Sequence, residues 1–121
     1  MATPNLINID TITPVLAAGN VTTSRADIID VSAEFVAKVN SLIIANVDGS
    51  SAADITVEVS TDNGSNYYAI AKTVSVPADA SIVIIGKDNS IYLDETDLLA
   101  VTASANSDLT YAVSYELLKD A

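Results

Sequence analysis

The chain has no cysteine, no histidine and no tryptophan, and only four glycines and three prolines among its 121 residues. Without cysteine there is no disulfide, so a fold must rest on its apolar core alone. Without histidine or cysteine there is no His-based triad, no thiol nucleophile and no zinc site of the usual nitrogen and sulfur type. A general acid or base would have to be a carboxylate, Lys or Tyr. Basic residues are also scarce, five against 16 acidic ones, for a net charge of -11. Arg25, Lys38, Lys72, Lys87 and Lys119 are scattered rather than striped. A charge of that sign repels phosphate backbones, so no nucleic-acid partner is expected. The longest apolar runs, such as Ile82 to Ile85, fall far short of a membrane span. The first residues lack the basic and apolar regions of a secretory signal, so no membrane partner is expected either. Gly19, Gly49, Gly64 and Gly86 lie far apart, form no phosphate loop and are each expected in a turn. The reading is of a non-enzyme with no cofactor and no metal.

Half of the residues are hydrophobic, and a chain of this length suits one domain. Two-residue alternation is the clearest pattern. Ile55, Val57 and Val59 interleave with Thr56, Glu58 and Ser60, as in a half-buried strand. Asp62-Asn63-Gly64-Ser65 follows, and Asn-Gly tolerates positive φ at both central positions of a tight turn, so Tyr67 to Val76 is expected to return as the hairpin partner. Ser81 to Gly86 is β-branched and apolar in both phases, which reads as a strand buried on both faces. Ile91-Tyr92-Leu93, Leu98 to Ala103 and the alternating Leu109, Tyr111, Val113, Tyr115 and Leu117 complete the second half.

In the first half, Val31, Phe35, Val39 and Leu42 fit a helical stripe. The β-branched content from Val36 to Asn46 favours a strand, with Phe35, Val39, Ile43, Ala45 and Val47 in one phase. Residues 1–20 hold two prolines and an irregular pattern, and read as an extended N-terminal arm with at most one edge strand. The expected architecture is therefore all-β: an antiparallel β-sandwich of the jelly-roll kind over residues 21–121, with the arm before it.

Asp94, Glu95 and Asp97 form an acidic corner whose spacing matches no calcium loop, so a solvated turn is expected there. Tyr68 and Tyr92 fall on the outward phase of their strands and are candidate partner anchors. The other tyrosines, Tyr67, Tyr111 and Tyr115, are expected to pack. In the arm, Leu6, Ile7, Ile9, Ile12 and Val15 are candidate apolar anchors for strand addition to a neighbour.

Several phrases carry a resemblance. Ile43 to Gly49, Val57 to Gly64, Tyr67-Tyr68, Val76-Pro77-Ala78, Ile91 to Asp97 and Ser114-Tyr115-Glu116 resemble small virion structural proteins of tailed bacteriophages, particularly those of marine and cyanobacterial hosts. Thr96 stands where that pattern usually has glycine. The resemblance implies a virion location after assembly in the host cytoplasm, and no catalytic residues. It also implies a capsid decoration (cement) protein bound to the major capsid protein as a homo-oligomer. A tail, neck, baseplate or fibre component is the alternative it leaves open, and a carbohydrate-binding adhesion module is the reading outside it.

Overall fold

The computed structural model describes residues 6–121. They fold as nine strands: β1 (Ile9–Val21), β2 (Ala26–Asp30), β3 (Phe35–Asn46), β4 (Ala53–Ser60), β5 (Tyr68–Val76), β6 (Ser81–Ile85), β7 (Ile91–Leu93), β8 (Leu98–Ala103) and β9 (Leu109–Asp120). One sheet, A, runs β1-β9-β3-β6 with β7 also on β3, and the other, B, runs β2-β8-β4-β5. All pairings are antiparallel. β6 and β7 lie end to end along β3, against its residues 42–45 and 37–39, with a single 3-10 turn at Lys87–Asn89 between them. Counted as one edge, they complete the strand order of an eight-stranded jelly roll, as the alternation of short strands and turns implied.

The core lies between the sheets. Leu42, Ile44, Ile55, Leu99, Leu109 and Val113 are fully buried there, and Tyr111, Tyr115 and Leu117 pack against its margin. β3 is a strand and not a helix, because both of its edges are taken, by β9 and by β6 with β7. Its phase differs from the expected one, however. The register slips between Val39 and Ser41, which leaves one extra residue in β3. Such a bulge turns the following side chains over. Leu42 and Ile44 therefore point inward, while Ile43 and Val47 are exposed.

Of the segment read as an arm, residues 1–5 lie outside the described residues, and the stretch from Ile9 onward is built into the sandwich. Residues 9–21 are strand β1, which forms the edge of sheet A and pairs with β9 along its length. A boundary at residue 20 would cut this strand near its end. Pro14 is accommodated because an edge strand has one side on which an N–H is not needed. Gly19 lies inside β1 and not in a turn: a Cβ there would come within 3.2 Å of the Tyr111 ring, so the missing side chain makes room for it. Ser81–Ile85 is likewise an edge strand with Val83 exposed, and not a strand buried on both faces.

The β4–β5 hairpin forms as its sequence demands. Asn63 and Gly64 have φ of 57° and 92°, and the Ser65 N–H donates to the Asp62 carbonyl at 3.3 Å. The acidic corner is a turn tied to the chain before β3. The Thr96 N–H donates to the Val31 carbonyl at 2.8 Å, the Glu34 N–H to Glu95 Oε2 at 3.0 Å and the Asp94 N–H to Asp97 Oδ2 at 2.8 Å. Thr96 has φ of 67°, a left-handed conformation that a β-branched residue adopts at a cost of about 1–2 kcal/mol. The turn thus keeps the geometry that glycine would favour. Thr96→Gly is expected to stabilise the domain by about 0.5–1 kcal/mol after its own entropy cost, read as a rise in Tm. An unchanged or lower Tm would contradict the strain.

Candidate functional site

The two outer faces of the sandwich differ in chemistry. On sheet A the register places Ile12, Pro14, Leu16 and Ala18 of β1 beside Leu118, Glu116, Ser114 and Ala112 of β9. These in turn lie beside Val36, Lys38, Ser41 and Ile43 of β3. Tyr92 of β7 sits opposite Lys38, and Val83 of β6 opposite Ile43. Lys38 and Glu116 also face one another, and they are the charged residues of this block. The rest of this block is apolar or small, with Leu16 at 73% and Val83 at 64% exposure. A shallow depression of about 410 Å³ opens on it, lined by Ala18, Gly19, Asn20, Ile43, Ala45, Thr110, Tyr111 and Ala112. On a chain of net charge -11, such a face is conspicuously short of acids.

The outer side of sheet B is acidic and partly covered. Asp27, Asp30, Asp54 and Glu58 lie on its strands, and the 61–67 loop folds back over it. Arg25 Nε and Nη2 donate to Glu58 Oε1 and Oε2 at 3.0 and 3.4 Å, and the guanidinium lies 3.9 Å over the Tyr67 ring. The Tyr67 hydroxyl donates to Asp27 Oδ1 at 2.9 Å. The loop itself is organised by Asp62. Its carboxylate accepts the Asn66 Nδ2 at 2.7 Å, the Asn66 N–H at 2.9 Å and the Ser60 hydroxyl at 2.9 Å.

These bonds, the Asn66 side chain first, hold the Asp62 carboxyl below the ordinary aspartate range. A depressed folded-state pKa contributes stability that is present above the unfolded value and lost as pH falls through the folded one. The Asn66 amide is therefore expected to lose hydrogen-exchange protection below about pH 4, and Asp62→Asn should weaken that pH dependence. A pH-independent Asn66 amide would contradict it.

The sequence-predicted anchors are only partly brought together. Ile12 and Tyr92 share the outer face of sheet A. Leu6 and Ile7 precede β1 and are exposed, Ile7 at 94%. Ile9 is half-buried at the start of β1. Val15, half-buried and opposite Tyr115, points to the core side and is not available to a partner. Tyr68 is exposed, but on β5 of the other sheet. Leu16, Ile43 and Val83 were not foreseen. Leu16 follows Pro14 in what reads as an irregular stretch, and the outward turn of Ile43 depends on the β3 bulge. Among the described residues no group of three or more His, Cys, Asp or Glu is placed to hold a metal ion, and no helix is long and apolar enough to cross a membrane.

No family model matches the chain, and no curated protein does. Solved structures are similar to it at low sequence identity. A protein of Bacillus endospore appendages, described as disulfide-linked pili, is similar with a TM-score of 0.56 at 12% identity, over 92% of this chain and 88% of that one. The likeness is one of fold, since this chain has no cysteine. A Drosophila NLP core, described with its pentamer formation and histone binding, gives a TM-score of 0.48 at 12% identity, over 84% of this chain and 96% of that one. A pentameric capsid protein from metagenomic phage sequences gives 0.40 at 17% identity, over 95% of this chain and 62% of that one. The similarity to the phage protein is distant.

Proposed function

We propose that this chain is a non-catalytic structural protein of a phage virion. In this reading it is a capsid decoration (cement) protein that binds the outer capsid surface and stabilises contacts between major capsid subunits. The observation that carries the reading is the outer face of sheet A. Large exposed apolar residues cluster there, and the two charges within the block oppose each other. A contiguous apolar face is where a protein meets a partner, and interface centres are poor in charge and rich in aromatic anchors such as Tyr92. The phrases that resemble phage virion proteins point the same way. Repetition over a symmetric shell multiplies modest contacts by avidity.

The test is cosedimentation of the purified protein with capsids that lack it and, separately, with isolated tails. Saturable binding to capsids at a stoichiometry tied to the lattice is expected, weakened at least about tenfold, or about 1.4 kcal/mol, by Ile43→Glu. Binding to tails alone would replace decoration with a tail role, and binding to neither would overturn the virion reading.

A further inference from the structure

Two sheets leave four edges, and three of them are shut. The β6–β7 edge is broken by Gly86–Ser90 and its 3-10 turn. β5 slips register twice against β4 and carries Thr73 at φ 47°. β2 has five residues, a register shift and two aspartates, Asp27 and Asp30. Breaks, bulges and charges are what keep an edge from accepting another strand.

β1 is different. From Thr11 to Val21 its register against β9 is unbroken, and residues 11–24 carry no charged side chain. In an antiparallel ladder, residues alternate between those whose backbone groups face the partner and those whose groups face away. Pro14 is paired within the ladder opposite Glu116 and has no N–H to give, which sets it among those facing away. Leu16, Ala18 and Asn20 share its phase, so their N–H and C=O groups line the open side.

We propose that β1 pairs antiparallel with β1 of a second copy of this chain, across a two-fold axis. The other three edges are closed to strand addition, so the complement of β1 in another copy is β1 itself, and such a contact closes on itself as a dimer. Charge selects the same strip. Two chains of net charge -11 repel, and like charges directly opposite destabilise a strand pair. An uncharged edge avoids that cost. Leu16, 73% exposed on the outer face, lies next to the depression lined by Ala18, Thr110 and Ala112, which takes the Leu16 side chain of the other copy. The two A sheets then form one continuous sheet that ends on a broken edge at each side. This pairing stands apart from the capsid reading and holds whatever the outer face binds.

The test uses the full chain in sedimentation velocity over a wide concentration range, with hydrogen exchange at both ends of that range. A concentration-dependent dimer is expected. The Leu16, Ala18 and Asn20 amides should become at least about tenfold more protected in it, with those of Val15, Ala17 and Gly19 unchanged. Leu16→Pro has the phase of Pro14 and spares the β1–β9 ladder, so it should give a folded monomer. Leu16→Lys should do the same by charge, and keeps the test valid if the proline variant unfolds. A wild-type monomer at every concentration, a closed species other than a dimer, open-edge amides left unprotected in the dimer, or a dimer indifferent to the folded variants would each overturn the pairing.

Discussion

Deletion of residues 2–18 is expected to abolish cooperative unfolding, or to lower the Tm by tens of degrees, and not to release a dispensable tail. The cut leaves only Gly19 to Val21 of β1. It strips β9 of its partner from Thr11 to Ala18, and each lost backbone hydrogen bond removes about 0.5–1.5 kcal/mol of net stability. It also takes Val15 and Ala17 from beside Tyr115 and Val113, which opens the core side of sheet A to water. Fully burying a valine contributes about 1.5–3 kcal/mol, and the half-buried Val15 contributes a part of that. Against a total stability of about 5–15 kcal/mol for a domain, these losses together consume most of what is available. Circular dichroism or calorimetry of the truncated chain decides the matter. An unchanged transition would mean that β1 is not part of the sandwich. Binding experiments on such a truncation would report unfolding, so point substitutions on the open side of β1 are the sounder probe.

Asn46→Asp, a near-isosteric change, is expected to destabilise the domain by about 3–5 kcal/mol, the cost of leaving an uncompensated charge in the interior. Asn46 is 3% exposed at the end of β3. Its Nδ2 donates to the Ser51 and Val76 carbonyls, both at 2.9 Å, and its Oδ1 accepts the Asp48 N–H at 2.8 Å. One side chain thus ties the turn after β3 to the end of β5. A carboxylate keeps the Asp48 bond but turns an oxygen toward two carbonyl oxygens. A thermal melt should show a Tm lower by about 10 °C or more. The gap should narrow in acid as the introduced carboxyl takes up a proton and regains one donor. A Tm within a degree or two of the wild type would show that Asn46 is not the buried tie between these segments.

The strands were legible where pattern and turn chemistry agreed. Asn63-Gly64 set the hairpin because both residues reach positive φ at little cost, and β9 declared itself by strict alternation. What the sequence does not mark is position within a sheet. Ile82 to Ile85 looks the same in a central strand and at an edge, because exposure depends on which strands lie beside it. Pro14 and Gly19 act as breakers in isolation. In β1 the one faces an open side and the other a tyrosine ring, and neither neighbour is nearby in sequence. The site suffered most from the bulge near Asn40, which inverts the phase of Ile43 and Val47 without any glycine to announce it. Tyr92 was found because no such irregularity separates its phase from its surroundings, whereas Ile12 was singled out only as one apolar residue of the expected arm.

The pairing of β1 with β9 joins strands about 90 residues apart in sequence, and this fixes when sheet A can be finished. β9 sits between β1 and β3 in sheet A, so β1 has no partner in the sheet, and β3 only β6 and β7 on its other side, until β9 has been made. At about 5–20 residues per second, the first strand waits several seconds for the last. Contacts so distant along the chain also make for slow folding. Sheet A is therefore completed only once β9 has left the ribosome, and the uncharged side of β1 stays uncovered until then.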